Sequence, residues 1–187
     1  MKKIYTIILL FIISSICNAA TQELIMSMDD RYTVQDTEDW AVTVGRYLSL
    51  RYADVKVLPK QTKKSFNLML YFKCDTKDLA QFDTPKKMKK AVVSSSKKYL
   101  GGIVEKEIKV EEIKNKGWYG FKTQFTDASL VDKKTIPDDE YLYMIRGMIR
   151  LSEKSALGFS LMTNAPDSTE TAEVMKYIYS FAKERKE

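Results

Sequence analysis

An alternation of apolar and less apolar side chains is the feature of this sequence that most constrains its fold. Phe66, Leu68, Leu70, Phe72 and Cys74 share one side of a two-residue repeat, which is the period of a β-strand. It is the strongest strand pattern in the chain. Because this side is apolar throughout, we predict a strand that lies on a hydrophobic core, with Cys74 buried and chemically inert.

The remaining strand patterns follow one another in pairs. They cover residues 24–28, 31–34, 40–44, 47–58, 103–113, 118–125, 140–151 and 157–163. Asp29-Asp30 and Asn115-Lys116-Gly117 predict turns between neighbours, and residues 40–44 are expected to continue the edge formed by the first two strands. We predict six or seven strands in a mainly antiparallel sheet, since paired strands need no helical crossover.

A first amphipathic helix is predicted between Thr84 and Gly101-Gly102. Thr84 can cap it, Pro85 suits the first helical position, and the two glycines end it. Its apolar side carries Met88, Ala91, Val92, Ser95 and Tyr99, and its opposite side carries Lys86, Lys87, Lys89, Lys90, Lys97 and Lys98. This pattern is typical of a helix that packs on a sheet.

A second helix is predicted near the end of the chain, from Asp167 with Glu170 as its capping-box partner. Its buried face would comprise Thr171, Val174, Met175, Ile178, Phe181 and Ala182, and Lys183 and Arg185 suit the negative end of its dipole. The strands and the two helices together predict one α+β domain over residues 21–187, with a mainly antiparallel sheet packed by two helices.

The first twenty residues have the pattern of a secretory signal peptide. Lys2 and Lys3 precede an apolar run over residues 4–16, and small residues follow, with cleavage after Ala19 or Ala20. The apolar run is shorter than the about 20 residues of a membrane-spanning helix. We therefore predict a periplasmic or secreted protein whose signal peptide, residues 1–20, is removed.

The two cysteines bear on the same prediction. A lipoprotein anchored through Cys17 is the alternative, but a lipobox has a small residue before the cysteine and here that residue is Ile16. Cleavage leaves Cys74 as the remaining thiol, so no intramolecular disulfide is expected. A lone thiol in an oxidising compartment is either buried or reactive, and the apolar strand favours burial.

Composition excludes several function classes. The chain contains no histidine, which excludes Ser-His-Asp and Cys-His hydrolases and histidine-ligated zinc. It has seven glycines but neither common nucleotide-binding pattern. Removal of Lys2 and Lys3 lowers the formal net charge from +6 to +4, which is too small and dispersed to indicate nucleic acid. We predict no metal and no cofactor.

Clusters of acidic residues are the remaining candidates for catalysis. They are Asp29-Asp30, Asp36 with Glu38-Asp39, and Asp138-Asp139-Glu140. None has the glycine-containing pattern of a calcium loop, so we interpret them as solvated turn residues. A carboxylate-dependent hydrolase of an envelope polysaccharide needs two acids and no histidine, and it is kept as the alternative function. Ser94 with Lys97 has no supporting motif.

Aromatic and basic residues are the candidates for a binding surface. Trp40, Trp118 and Tyr119 could anchor a partner, and Trp118-Tyr119-Gly120, beside a turn, is the segment expected to be least buried. On the first helix, Lys86, Lys87 and Lys90 could meet an acidic partner or anionic lipid heads, the latter a peripheral membrane contact. A core role for the aromatic residues and a solvated role for the lysines remain the alternatives.

One family resemblance is carried by the two ends of the predicted domain. Tyr32-Thr33-Val34 followed by Trp40 resembles the Y-x-V…P-x-x-W start of the PsbP-like family, which includes the periplasmic DcrB-type proteins. The segment 174–181, with Ser180-Phe181 near its end, resembles that family's last helix. The family's proline before the tryptophan is absent here. The resemblance implies an α/β/α sandwich, a non-enzymatic accessory or assembly role, and no shared catalytic residues.

These observations predict an exported, non-catalytic protein that binds a protein or a cell-envelope component. The identity of that partner and the oligomeric state are left open by the sequence.

Overall fold

The structure is a computed structural model that describes residues 21–28, 30–49, 51–61, 65–74, 79–114 and 118–182. The predicted signal peptide, the Asn115-Lys116-Gly117 turn, Asp29 and the end of the chain from Lys183 lie outside these residues. The elements are β1 (Thr21–Ile25), β2 (Arg31–Gln35), β3 (Trp40–Leu48), β4 (Tyr52–Pro59), β5 (Phe66–Lys73), α1 (Pro85–Ser96), β6 (Glu111–Lys114), β7 (Tyr119–Thr126), β8 (Tyr143–Arg150), β9 (Ala156–Thr163) and α2 (Thr169–Ser180). A short 3-10 helix, Lys97–Tyr99, extends α1.

The strands form two antiparallel sheets. Seven strands make the larger sheet in the order β3-β4-β5-β9-β8-β7-β6, and β1 pairs with β2 in a separate hairpin. All neighbouring strands in both sheets run antiparallel. The two helices pack on opposite faces of the larger sheet, each with its own core cluster. The predicted α+β class is therefore confirmed.

Three predicted strand boundaries are wrong. Residues 47–58 are divided between β3 and β4 by a turn in which the Arg51 amide donates to the Leu48 carbonyl. Residues 103–113 contribute β6 only at their end, with one isolated bridge between Ile103 and Asp127. Trp40–Leu48 forms an edge of the large sheet instead of continuing the β1–β2 hairpin. The described residues contain nine strands, whereas six or seven were predicted.

The first core lies between the large sheet, the β1–β2 hairpin and α2. The predicted apolar repeat faces this core: Phe66, Leu68, Leu70 and Phe72 are at most 1% exposed. From the opposite side the core receives Leu24, Met26, Tyr32 and Val34 of the hairpin segment and Val174, Ile178 and Phe181 of the C-terminal segment. Cys74 is also buried, as predicted.

The second core is smaller and lies under α1. The helix begins as predicted, since the Thr84 side chain accepts from the Lys87 amide and Pro85 occupies the first turn. Met88 and Val92 pack with Phe121 of β7, and α1 contacts chiefly β7 and, less extensively, β8. On this face of the sheet, α1 therefore covers chiefly β7 and β8 and leaves β4 and β5 uncovered by either described helix.

The start of α2 differs from the predicted capping box by one residue. Ser168, not Asp167, is the N-cap, and its side chain accepts from the Thr171 amide. Glu170 accepts a hydrogen bond from the Ser65 hydroxyl at 2.8 Å and so ties α2 to the start of β5. The predicted buried face of α2 is confirmed by Thr171, Val174 and Ile178. Neither α2 nor any other helix in the described ranges has the length and apolarity needed to cross a membrane.

Asp30 corrects the interpretation of the acidic clusters as solvated turns. It is 5% exposed, and its carboxylate accepts hydrogen bonds from the hydroxyls of Ser152 and Ser155. Ser155 also shares a 2.7 Å hydrogen bond with the Tyr32 hydroxyl. Because Ser152 and Ser155 belong to the turn between β8 and β9, this network joins the β1–β2 hairpin to the large sheet.

Replacement of Asp30 by alanine should lower the free energy of unfolding by about 2 kcal/mol, because buried hydroxyls lose a charged acceptor. Asp30→Asn keeps an acceptor oxygen and should lose about half as much. Urea unfolding of both variants measures the difference. An Asp30→Ala protein as stable as the wild type would show that the network contributes nothing to the attachment of the hairpin.

Candidate functional site

A concave surface on the α1 side of the sheet lies beside the end of α1, where the helix no longer covers the strands. This tyrosine–arginine groove has a volume of about 280 Å³. Its walls combine aromatic, basic and hydroxyl side chains, and Gly158, which faces Tyr71 without a side chain of its own, keeps its floor low. The groove is lined by Tyr52, Tyr71, Lys73, Val92, Ser95, Arg146, Gly147, Met148, Gly158, Phe159 and Ser160.

Arg146 is the central charged residue of the groove. Its guanidinium carbon lies 4.8 Å from the centroid of the Tyr99 ring, which is within the range of a cation–π contact. Its Nη1 atom is buried and has no hydrogen-bond partner. Buried charged donors are normally paired, because an unpaired one loses its hydration without compensation.

Other polar groups without partners lie close to Arg146 in the sheet or on the buried side of α1. Thr123 of β7 is the register partner of Arg146, and its Oγ1 atom is buried without a hydrogen bond. The hydroxyl of Ser96, at the end of α1, is also buried and makes no hydrogen bond. The polar groups under the end of α1 are therefore not satisfied by one another.

The tyrosines of the groove remain protonated at neutral pH. Burial raises the pKa of Tyr71, and the neighbouring Tyr99 adds to this effect, which Arg146 partly offsets. Burial also raises the pKa of Tyr52, whose hydroxyl lies 3.4 Å from the Asp54 carboxylate. These rings can therefore stack and donate hydrogen bonds, but they are poor proton acceptors.

The described lining of the groove supplies hydrogen-bond donors and aromatic rings. The Ser95 hydroxyl donates to the Val92 carbonyl at 3.1 Å, so it is engaged within the helix. The described residues that line the groove include no carboxylate, whereas glycoside hydrolysis needs two. What the groove offers is an unpaired guanidinium donor between aromatic rings, an arrangement that favours an anionic group on a ligand.

Trp118 and Tyr119 do not form the expected surface patch. Trp118 is 8% exposed, and its ring centroid lies 5.9 Å from that of Tyr179. Tyr119 points to the opposite face, where its hydroxyl donates to the Phe82 carbonyl at 2.7 Å. Strand alternation directs one ring into each core, so the segment that was least expected to be wholly buried has a buried Trp118 and a half-buried Tyr119 on opposite faces.

The other predicted binding residues are separated by the sheet. Trp40 is half-buried on the α2 side and packs edge-on against Phe66 and Tyr177. The lysines of α1, Lys86, Lys87 and Lys90, are exposed on the other side. Lys87 pairs with Asp83 at 2.9 Å. The structure therefore does not bring the tryptophans and the lysines into one surface.

The binding residues predicted from the sequence do not include Arg146, Tyr71 or Tyr52. A signal was present, because Arg146 is a charged residue in the middle of an otherwise apolar strand pattern. Its partners in the groove come from β4, β5 and the end of α1, which are distant in sequence. No known protein family, no curated protein and no solved structure matches the chain.

Proposed function

We propose that this chain is an exported, non-catalytic protein that binds an acidic segment of a partner protein in the cell envelope through the tyrosine–arginine groove. The observation that carries the proposal is the buried Nη1 atom of Arg146, which has no partner although its guanidinium is held against Tyr99. A ligand carboxylate would supply the missing acceptor. The export route and the resemblance to PsbP-like accessory proteins stay predictions from the sequence.

The residue types of the groove favour a protein partner. Tyrosine and arginine are enriched among the residues that contribute most to protein–protein binding. Tyr52, Tyr71 and Tyr99 provide large rings with few rotatable bonds, so little conformational entropy is lost when they are covered. A second hollow of about 300 Å³ has Tyr99 in its lining, and the same ring contacts Arg146 of the groove, so the two concave surfaces are neighbours.

A neighbouring carboxylate would provide specificity within the groove. Asp54 accepts from the Arg46 amide at 2.8 Å and lies beside the Tyr52 hydroxyl. An acidic ligand would be repelled from Asp54 and attracted to Arg146, so its carboxylate is expected to enter at the α1 end of the groove. Electrostatic complementarity of this kind fixes orientation more than it adds affinity.

Affinity capture from the envelope fraction tests the proposal with protein expressed from the whole sequence. Wild type, Arg146→Gln and Lys90→Gln are compared, and captured partners are identified and their dissociation constants measured. We expect Arg146→Gln to weaken binding of the specific partner at least tenfold, because a charged hydrogen bond is lost. Lys90 is exposed on α1 outside the groove, so Lys90→Gln should bind within twofold of wild type.

Stability provides a second measurement that does not depend on the partner. Because Nη1 of Arg146 has no partner, Arg146→Gln should change the free energy of unfolding by no more than about 1 kcal/mol. Equal binding by Arg146→Gln and wild type, with both proteins folded, would refute the proposed site. Loss of binding together with a large loss of stability would assign Arg146 to the fold instead.

A further inference from the structure

A larger cavity lies apart from the tyrosine–arginine groove. It has a volume of about 600 Å³ and shares none of the lining residues of the groove. We call it the Arg150 cavity. It lies between the turn that joins β1 to β2, the end of β5, the approach to α1 and the end of β8. Its size falls within the range of small-molecule binding sites in proteins.

The wall of the Arg150 cavity is mostly apolar. Met26 and Leu79 are almost completely buried, Cys74 is 9% exposed, and Met28 is 88% exposed at the entrance. Methionine side chains adapt to ligands of irregular shape, which makes them common at surfaces that bind flexible apolar groups.

One charged donor in this wall has no partner. Arg150 is 9% exposed, and its Nη2 atom donates to the Glu153 carbonyl, which holds the guanidinium in place. Its Nη1 atom is buried and makes no hydrogen bond. Among the described residues, the other charged side chains in the lining are Asp83, which pairs with Lys87 at 2.9 Å, and Glu153 and Lys154, both exposed.

We propose that the Arg150 cavity binds a long-chain carboxylic acid, with its alkyl chain along the apolar wall and its carboxylate on the guanidinium of Arg150. An apolar chain alone would fit the wall but would leave the guanidinium donor unsatisfied. A small anion alone would satisfy the donor but would leave the apolar wall uncovered. An amphipathic monoanion does both, because a guanidinium and a carboxylate form strong charge-assisted hydrogen bonds.

Titration with three probes tests this assignment. Dodecanoate, dodecanol and acetate are each added to the whole protein, and binding is followed by calorimetry. We expect dodecanoate to bind at least tenfold more tightly than dodecanol, and acetate not to bind measurably. Equal affinities for dodecanoate and dodecanol, or no binding of dodecanoate, would overturn the proposal.

Variants locate the site. Arg150→Met should reduce the affinity for dodecanoate at least tenfold and leave dodecanol binding unchanged or stronger, which also shows that the variant is folded. Ala80→Trp alters an exposed position in the lining and should block both probes without touching the guanidinium. Lys90→Met, at an exposed position that lines neither site, should bind as wild type does. Loss of dodecanoate binding in Arg146→Met but not in Arg150→Met would move the site to the groove.

Discussion

Replacement of Gly147 by alanine should destabilise the fold by about 3 kcal/mol, the upper end of the cost of overpacking a core. A methyl group at this position would lie 2.6 Å from the Phe159 Cζ atom and would also meet the Phe121 carbonyl oxygen. Phe159 is the register partner of Gly147 in β9 and is 2% exposed, so its ring has no free space to move into. The backbone of β7 is fixed by its antiparallel hydrogen bonds to β8. Strands at the centre of the sheet would therefore have to shift.

Gly158 provides the matched control on the neighbouring strand. A methyl group there would lie 3.7 Å or more from Tyr71, which is ordinary van der Waals contact. Gly158→Ala should therefore stay within about 1 kcal/mol of wild type, since the loss of backbone freedom in the unfolded chain offsets any small strain. Thermal unfolding of both variants measures the difference, which corresponds to about 6–12 °C for Gly147→Ala in a chain of this length. Similar melting temperatures for the two variants would contradict the close packing around Gly147.

The core elements could be predicted because their signals are local. The alternation over Phe66–Lys73 and the Thr84 cap each depend on a few neighbouring residues. The β3–β4 turn was missed because residues 47–58 contain no glycine, proline or asparagine, and Ser49 alone is a weak turn signal. The pairing of β5 with β9, which closes the middle of the sheet, joins segments about 90 residues apart. No local pattern carries that information.

The candidate sites were less predictable for a related reason. The tyrosine–arginine groove and the Arg150 cavity depend on which polar atoms lack partners, and this is a property of the packed molecule. Trp118 shows the reverse case, because a residue type common at interfaces is buried against Tyr179. Asp30 was expected to be exposed because it lies in a turn, but its carboxylate accepts hydrogen bonds from two serines of the β8–β9 turn.

Stability should fall steeply between about pH 10 and 12, because three buried tyrosines resist ionisation in the folded state. Burial raises the pKa of Tyr177 to about 12 and that of Tyr179 to about 12. Burial also raises the pKa of Tyr32 well above its ordinary value. Asp36 near Tyr177, Glu111 near Tyr179 and Asp30 near Tyr32 add to the effect of burial.

The sign of this pH dependence follows from the number of protons that the folded and the unfolded chain bind. Below about pH 10 the folded and unfolded chains both keep the phenol protons, and the stabilisation is fully present. Above that pH the unfolded chain loses these protons while the folded chain keeps them up to about pH 12. Unfolding then releases protons, so stability decreases as the pH rises. Each tyrosine contributes about 1.4 kcal/mol per pH unit, and the three together about 4 kcal/mol per pH unit.

Urea unfolding at pH values from 8 to 12 measures the change of stability with pH. The double variant Tyr177→Phe, Tyr179→Phe shows how much of that change is due to these two tyrosines. Phenylalanine keeps both rings in the core but has no proton to lose, so the slope of the double variant should be smaller by about 2.8 kcal/mol per pH unit, the contribution of two tyrosines. Lysines also titrate in this range, but they are the same in both proteins and cancel in the comparison. An unchanged slope in the double variant would show that these rings are accessible to hydroxide in the folded state, contrary to their packing against Trp40 and Trp118.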